Sequence, residues 1–240
     1  MRAILISLLF VTSSFGADAP AQPTIAPGIR ESQVTLLLER AGKRTQLQAT
    51  VIAKGATSLT VMTAGHGLGP ADLGVPLRIR ARDRMIAGRV EAVTRNPNYR
   101  AAPSGDIPGA DNAVARFRLD AADAPAPDFL QIAEVAGWAI PEPSGSALTI
   151  QTIDQFHVPH VVKAGNYTNP RWLEWGPNYR PVPGDSGSGV FVVRLRPDGS
   201  AGPVLIGVVV DRSERGGGAA LVHRKDGWVN AAIKNLGTKK

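Results

Sequence analysis

Residues 183–189 are Pro-Gly-Asp-Ser-Gly-Ser-Gly, and the β-prone run 190–193 follows directly. Glycines on both sides of Ser186 favour a tight turn, because glycine adopts positive φ without strain and lets the backbone approach a ligand closely. In such a turn the N–H groups of Gly184 and Ser186 can converge on a negatively charged oxygen. Ordinary Gly-Ser turns have a similar composition, so this stretch alone leaves a structural turn and a reactive serine equally open.

A reactive serine needs a base, and histidine is the usual one. The best-placed histidine is His66, which lies in Thr63-Ala64-Gly65-His66-Gly67 directly after the apolar run 59–62. Its small neighbours leave the imidazole accessible. The other three histidines of the chain are His157, His160 and His223.

An imidazole base needs a carboxylate that fixes its tautomer and stabilises its charged form. Asp111 immediately precedes the strand-like segment 113–119. Asp106 is the alternative, but it lies in the turn 104–109, where an aspartate commonly accepts local backbone hydrogen bonds. We therefore expect Asp111 to be the partner of His66.

Short β-prone or alternating segments recur along the chain, separated by turn-forming residues. Six predicted strands fall in the first half: 34–39, 46–53, 58–64, 75–80, 84–93 and 113–119. Six more fall in the second half: 129–135, 147–153, 158–163, 190–195, 204–210 and 219–223. The Pro- and Ala-rich stretch 120–128 indicates a linker. Residues 228–236 predict an amphipathic helix with Trp228, Ile233 and Leu236 on one face. Two β-rich halves or a single sandwich fit this pattern.

Composition narrows the function classes. The chain has 240 residues, 43% of them hydrophobic, which suffices for a sizeable core. Its net charge of +7 is scattered rather than concentrated in runs, so we do not expect a nucleic-acid partner. The absence of cysteine excludes thiol catalysis. Asp154, His157 and His160 lack an obvious fourth ligand, so we expect neither a metal nor a cofactor.

The first 19 residues resemble a secretory signal: Met1-Arg2, an apolar run at 3–11, and small residues up to Ala19. The apolar run is too short to span a bilayer. We expect its removal near residue 19, an irregular lead-in at 20–33 and no membrane anchor afterwards. A chain of this size without disulfides fits export to the periplasm or the exterior of a bacterial cell.

The three motifs, in the order His, Asp, Ser, resemble those of the chymotrypsin/trypsin-like serine peptidases. That family has TAAHC, DIALL and GDSGG, which stand here as TAGHG, DNAVA and GDSGS. Subtilisin-type enzymes and α/β-hydrolases place the three residues in other orders. The resemblance implies an all-β fold of two six-stranded antiparallel barrels, 34–119 and 129–240, with a C-terminal helix.

The resemblance also implies a function. The chain would be an exported serine endopeptidase that hydrolyses protein or peptide substrates through an acyl-enzyme. Ser186 would be the nucleophile, His66 the general base and acid, and Asp111 the orienting carboxylate. The N–H groups of Gly184 and Ser186 would form the oxyanion hole. No cofactor is needed for this chemistry.

The chain departs from the family pattern in its substrate-binding region. Where the family has a Ser-Trp-Gly strand, Val210, Asp211 and Arg212 stand here. The position six before Ser186, often the floor of the specificity pocket, is Arg180, which either favours an acidic substrate side chain or is simply exposed. These departures leave two alternatives, a binding protein of trypsin-like fold that does not cleave, and an esterase-like hydrolase with the same triad.

A further departure concerns Asp185. No Ile-Val-Gly-Gly-like start is present to supply a new amino terminus for its carboxylate. Either another cation compensates Asp185, or the loop around it is arranged differently.

Overall fold

The first half of the chain forms a closed antiparallel barrel. The computed structural model describes residues 23–99, 110–137, 148–169, 171–213, 216–222 and 227–237. The strands close in the order β1-β2-β3-β6-β5-β4. They are β1 (Gln33–Arg40), β2 (Lys43–Gly55), β3 (Ser58–Thr63), β4 (Pro76–Ala81), β5 (Arg84–Arg95) and β6 (Ala113–Leu119). All six predicted strands of this half are present.

Alternation of apolar residues explains why these segments form a barrel. Along β1, Val34, Leu36 and Leu38 point inward and are fully buried, or nearly so, because successive side chains of a strand face opposite sides. Leu36 is paired with Leu47 of β2 and with Ile79 of β4. Burying each such side chain contributes about 1.5–3 kcal/mol, so this interior stabilises the first barrel substantially.

The second half forms another closed ring of six strands, in the order β11-β8-β9-β10-β13-β12 with β11 also paired to β12. A two-residue strand, β7 (Glu134–Val135), adds to the ring in parallel with β12. The ring strands are β8 (Leu148–Ile153), β9 (Pro159–Asn169), β10 (Trp172–Trp175), β11 (Gly189–Leu195), β12 (Ala201–Ser213) and β13 (Gly216–Leu221). The predicted pair of six-stranded barrels is confirmed, and the single sandwich is not the fold.

Two details of the predicted second half were wrong. The segment 129–135 is not a full strand, because its backbone bonds go to separate partners: Gln131 N–H to Glu31 O and Ala133 N–H to Val51 O. Strand β10 was not predicted, although it pairs with both β9 and β13 and is needed to close the ring.

Helix α2 (Gly227–Gly237) follows the second barrel. It buries Val229, Ala232 and Leu236, and the partly buried Trp228 and Ile233 pack against the same cluster, so the packed face includes the three predicted residues. The C-terminal end of α2 is bonded to the first barrel, because Arg116 of β6 donates from Nη1 to the carbonyl of Leu236. The remaining helical pieces are α1 (Ile29–Ser32) and a 3-10 turn at Pro70–Asp72. Among the helices of the described residues, none has the length and apolar character needed to cross a membrane.

The two barrels pack together through apolar side chains from both. Met62 and Val114 of the first barrel share a buried cluster with Phe191, Leu205 and Val208 of the second. Met62 is one residue before the end of β3 and Val114 is the second residue of β6, so this contact brings the loops after β3 and before β6 beside the second barrel. The candidate site lies at these loops.

Candidate active site

The loops that contain His66 and Asp111 are neighbours because their strands are paired. Thr63 at the end of β3 lies opposite Ala113 at the start of β6. His66 follows Thr63 by three residues, and Asp111 precedes Ala113 by two. Gly65 lets the two loops approach closely, since a Cβ there would lie 3.1 Å from Asp111 Oδ1.

Asp111 holds His66 at two points. Its Oδ2 lies 2.6 Å from His66 Nδ1, and its Oδ1 accepts the backbone N–H of His66 at 2.7 Å. A carboxylate only accepts, so Nδ1 carries a proton, and in the neutral imidazole Nε2 keeps its lone pair. The Asp111 side chain is 9% exposed and that of His66 is 41% exposed. The imidazole is therefore oriented by a buried carboxylate at Nδ1, while part of the ring stays accessible to solvent.

The loop around Ser186 docks against the first barrel. Gln48 of β2 donates its N–H to Ser186 O at 2.8 Å. On its other side, the loop is bonded to the second barrel, where Gly187 N–H donates to Val209 O of β12 at 2.7 Å. Gly187 has φ 91°, and a Cβ there would lie 1.9 Å from Gln48 O and 2.4 Å from Thr63 Oγ1. Thr63 is three residues before His66, so the structure places the serine loop beside the loop of the histidine.

Two backbone donors of the serine loop have no acceptor among the described residues. Asp185 N–H donates to Val182 O, and Gly187 N–H donates to Val209 O. Gly184 precedes Asp185, and Ser186 lies between Asp185 and Gly187. Within the described part of the chain, the N–H groups of Gly184 and Ser186 donate no hydrogen bond. Free donors at alternating positions are what an oxyanion site requires.

Ser186 is half-buried, and its hydroxyl forms no hydrogen bond with any described residue. The His66 and Asp111 side chains are thus joined directly, whereas Ser186 contacts the first barrel through its backbone, at Gln48. Catalytic hydrogen bonds are often long in proteins without substrate and tighten when substrate binds.

Asp185 is buried at 1% exposure and has a neutral set of partners. Its Oδ1 accepts the N–H of Gln155 at 2.9 Å, and its Oδ2 accepts the N–H of Val182 at 2.8 Å and the hydroxyl of Tyr179 at 3.1 Å. None of these donors is a cation. Of the two expectations for Asp185, a differently arranged loop is the one that the described residues support.

Tyr179 is fixed as a donor by its surroundings. Burial, and then the Asp185 carboxylate, raise the pKa of its hydroxyl, so the phenol keeps its proton. Its ring stacks on His160 at 4.0 Å and on Trp175 at 5.9 Å between centroids. Sequence reasoning did not identify Tyr179, because a tyrosine six residues before an aspartate has no distinctive spacing.

The Asp154, His157 and His160 group has a structural role. Asp154 Oδ1 accepts the N–H groups of Phe156 and Val158 and so shapes the loop between β8 and β9. Its Oδ2 lies 3.0 Å from His160 Nε2. No three histidine or acidic side chains among the described residues are grouped to hold a metal ion.

The predicted substrate-binding residues are only partly described. Arg180 is exposed on the loop before Asp185, and Val210 is half-buried in β12. The backbones of Asp211 and Arg212 pair with Gly218 and Gly217 of β13, and their side chains lie outside the described residues. Asp106 and His223 also lie outside them.

His157 has an unfavourable environment for a proton. Burial lowers its pKa below 6.5, and the guanidinium groups of Arg80 and Arg30 lower it further, while Asp154 and Asp83 act in the opposite direction. The unfolded chain therefore binds this proton more tightly than the folded one. Stability contributed by neutral His157 is lost as the pH falls through 6.5.

We expect His157→Asn to flatten this pH dependence. Asparagine tolerates the left-handed backbone that His157 adopts at φ 63°, and it does not titrate. Thermal unfolding measured between about pH 8 and pH 5 is the test. The expectation is wrong if acidification lowers the melting temperature equally in both proteins.

Comparison with known proteins identifies the fold. No protein-family model matches the chain, and no curated protein matches it in sequence. Among solved structures it is similar to the inactivated protease paralogue S-I1 of the scabies mite, with a TM-score of 0.62. The match covers 89% of this chain and 99% of that chain at 12% identity. The chain therefore has the trypsin-like fold.

Proposed function

We propose that this chain is a serine endopeptidase that hydrolyses peptide bonds through an acyl-enzyme on Ser186. The single observation that supports this best is the pair of hydrogen bonds by which Asp111 orients His66. His66 follows Thr63 closely in the chain, and Thr63 lies against Gly187 of the serine loop. Acyl transfer needs an oriented imidazole that can reach a serine whose loop also offers backbone donors, and these contacts support such an arrangement.

The chemistry follows from these atoms. Ser186 Oγ bonds to the substrate carbonyl carbon and passes its proton to His66 Nε2, while the carbonyl oxygen becomes an anion between the N–H groups of Gly184 and Ser186. The carbon–nitrogen bond breaks as His66 returns the proton to the leaving amine. Water then attacks the ester carbon and loses a proton to His66. The bond from this carbon to Ser186 Oγ breaks, His66 returns the proton to Oγ, and the acid leaves. Asp111 keeps Nδ1 protonated throughout.

We further propose that residues 1–19 direct export and that protein or peptide chains are the substrates. The described residues that perform the chemistry need no cofactor, because general base, nucleophile and oxyanion donors all belong to the chain itself.

One observation favours a second candidate, a binding protein of the same fold that does not cleave. The Ser186 hydroxyl has no hydrogen-bond partner among the described residues, and the solved structure compared above is described as inactivated. An esterase-like hydrolase would use the same groups as the peptidase and differ only in its substrate.

The test is covalent labelling with a fluorophosphonate followed by mass spectrometry of the digested protein. We expect one adduct, on Ser186. Ser186→Ala should abolish it, and Ser188→Ala should retain it, because Ser188 is fully buried and its hydroxyl has no hydrogen-bond partner among the described residues. Without an adduct on the unchanged protein, the binding-protein candidate replaces the hydrolase. Peptide and ester libraries then separate peptidase from esterase.

A further inference from the structure

The side chain of Gln155 lies against the peptide that precedes Gly184. Its Nε2 donates to Pro183 O at 2.8 Å. A Cβ added to Gly184 would lie 2.4 Å from its Oε1 and 2.8 Å from its Cδ, so the amide of Gln155 packs directly on the Gly184 backbone. The loop that contains Gln155 is itself anchored, through its N–H, to the carboxylate of Asp185.

The orientation of this amide is fixed by its partners. A carbonyl oxygen only accepts, so the NH₂ end of Gln155 must face Pro183 O. Its Oε1 is then free to accept, and Gln46 Nε2 donates to it at 2.9 Å. Gln46 belongs to β2 of the first barrel, 109 residues away. One short chain of hydrogen bonds therefore runs from the first barrel to the serine loop.

Fixing the Pro183 carbonyl also fixes the direction of the Gly184 N–H. The two groups belong to one planar trans peptide unit and point in opposite directions. The other oxyanion donor is treated differently. The N–H of Ser186 shares its peptide with Asp185 O, which accepts from Ser188 N–H at 2.9 Å within the turn itself. One donor is oriented by the turn, and the other depends on a side chain from outside it.

We infer that Gln155 is a positioning residue for the oxyanion hole, holding the Gly184 N–H toward the site with Gln46 as its support. This inference rests on the proposed function and deepens it. Glycine at 184 adopts φ 106°, a region where a peptide rotates with little steric hindrance, so the unit needs an external restraint. Gln155 does not touch the substrate carbonyl in this role, and its effect is exerted through the peptide.

The experiment compares Gln155→Glu and Gln155→Ala with the unchanged protein. Glutamate keeps the shape and the bond from Gln46, but it cannot donate to Pro183 O. Losing an oxyanion donor lowers kcat by about 10²–10³-fold, and we expect a misdirected donor to cost roughly 10–100-fold in kcat with little change in KM. Asn178→Asp is the matched charge control, since Asn178 is exposed on the loop leading to Pro183.

A second readout separates positioning from a merely structural role. A peptide boronic acid forms a tetrahedral adduct on Ser186 with an oxygen in the hole, whereas a product peptide does not. We expect both Gln155 variants to lose affinity for the boronic acid, to keep affinity for the product, and to retain the wild-type melting temperature.

The outcomes are distinguishable from those of the proposed function. If the fluorophosphonate does not label the unchanged protein, the proposed function fails, and this inference fails with it. If the unchanged protein is labelled but both Gln155 variants keep its kcat and boronic acid affinity, only the inference is overturned. It is also overturned if activity falls only in step with the melting temperature.

Discussion

We expect Asp111→Asn to lower kcat for peptide hydrolysis about 10⁴-fold while the protein stays folded. The reason lies in the two bonds that Asp111 makes. The backbone N–H of His66 will retain the oxygen of the new amide, because only an oxygen can accept it. The NH₂ group must then face His66 Nδ1 and donate to it. The imidazole proton moves to Nε2, which can no longer accept the proton of Ser186.

Steady-state kinetics on a peptide substrate measures this effect, and a thermal melt establishes that the variant is folded. Asp123→Asn is a suitable control, because Asp123 also accepts a backbone N–H, that of Ala87, at a site remote from His66. A folded Asp111→Asn protein with undiminished kcat would remove Asp111 from its proposed role.

The second large effect concerns stability. We expect Gly187→Ala to destabilise the protein by about 2–6 kcal/mol, the sum of backbone strain and overpacking. The new methyl group would collide with Gln48 O and Thr63 Oγ1, and φ 91° disfavours any residue with a Cβ. Relief of the collision requires the serine loop to move away from β2, so labelling of Ser186 should also be lost.

Gly199→Ala isolates the strain from the collision. Gly199 has a similar φ of 81°, but a Cβ there would meet no atom within 4 Å. Its cost should be about 1–2 kcal/mol, from the left-handed backbone alone. Urea unfolding of the two variants gives both values. Equal costs would mean that the serine loop is not packed against the first barrel.

Much of the fold could be predicted because its strands obey local rules. Strand β1 places the apolar residues Val34, Leu36 and Leu38 at alternate positions in the core of the first barrel, and a short turn separates it from β2. Strand β10 escaped prediction because four residues, Trp172–Trp175, are too few to show a period. The segment 129–135 was predicted as a strand from its composition. Whether a segment becomes a strand also depends on a neighbouring strand with which it can pair, and within this segment only Glu134 and Val135 pair with one, β12.

Some residues of the candidate site could be predicted from local sequence, and others could not. His66, Asp111 and Ser186 each lie in a short motif with small or turn-forming neighbours, so the sequence pointed to them without coordinates. Gln155 is different, because its role depends on Gln46, and nothing in either local sequence indicates that the two meet. Contacts between distant segments are decided by the packing of one barrel on the other, which no local pattern encodes.

The surroundings of Asp185 have a consequence for control of the molecule. All three of its donors, Gln155, Tyr179 and Val182, are built into the second barrel and its loops. On the proposed function, we expect the serine loop to reach its working shape as this barrel folds, without a proteolytic nick. We then expect latency to come from outside the molecule, from an inhibitor or from keeping the protein and its targets in separate compartments.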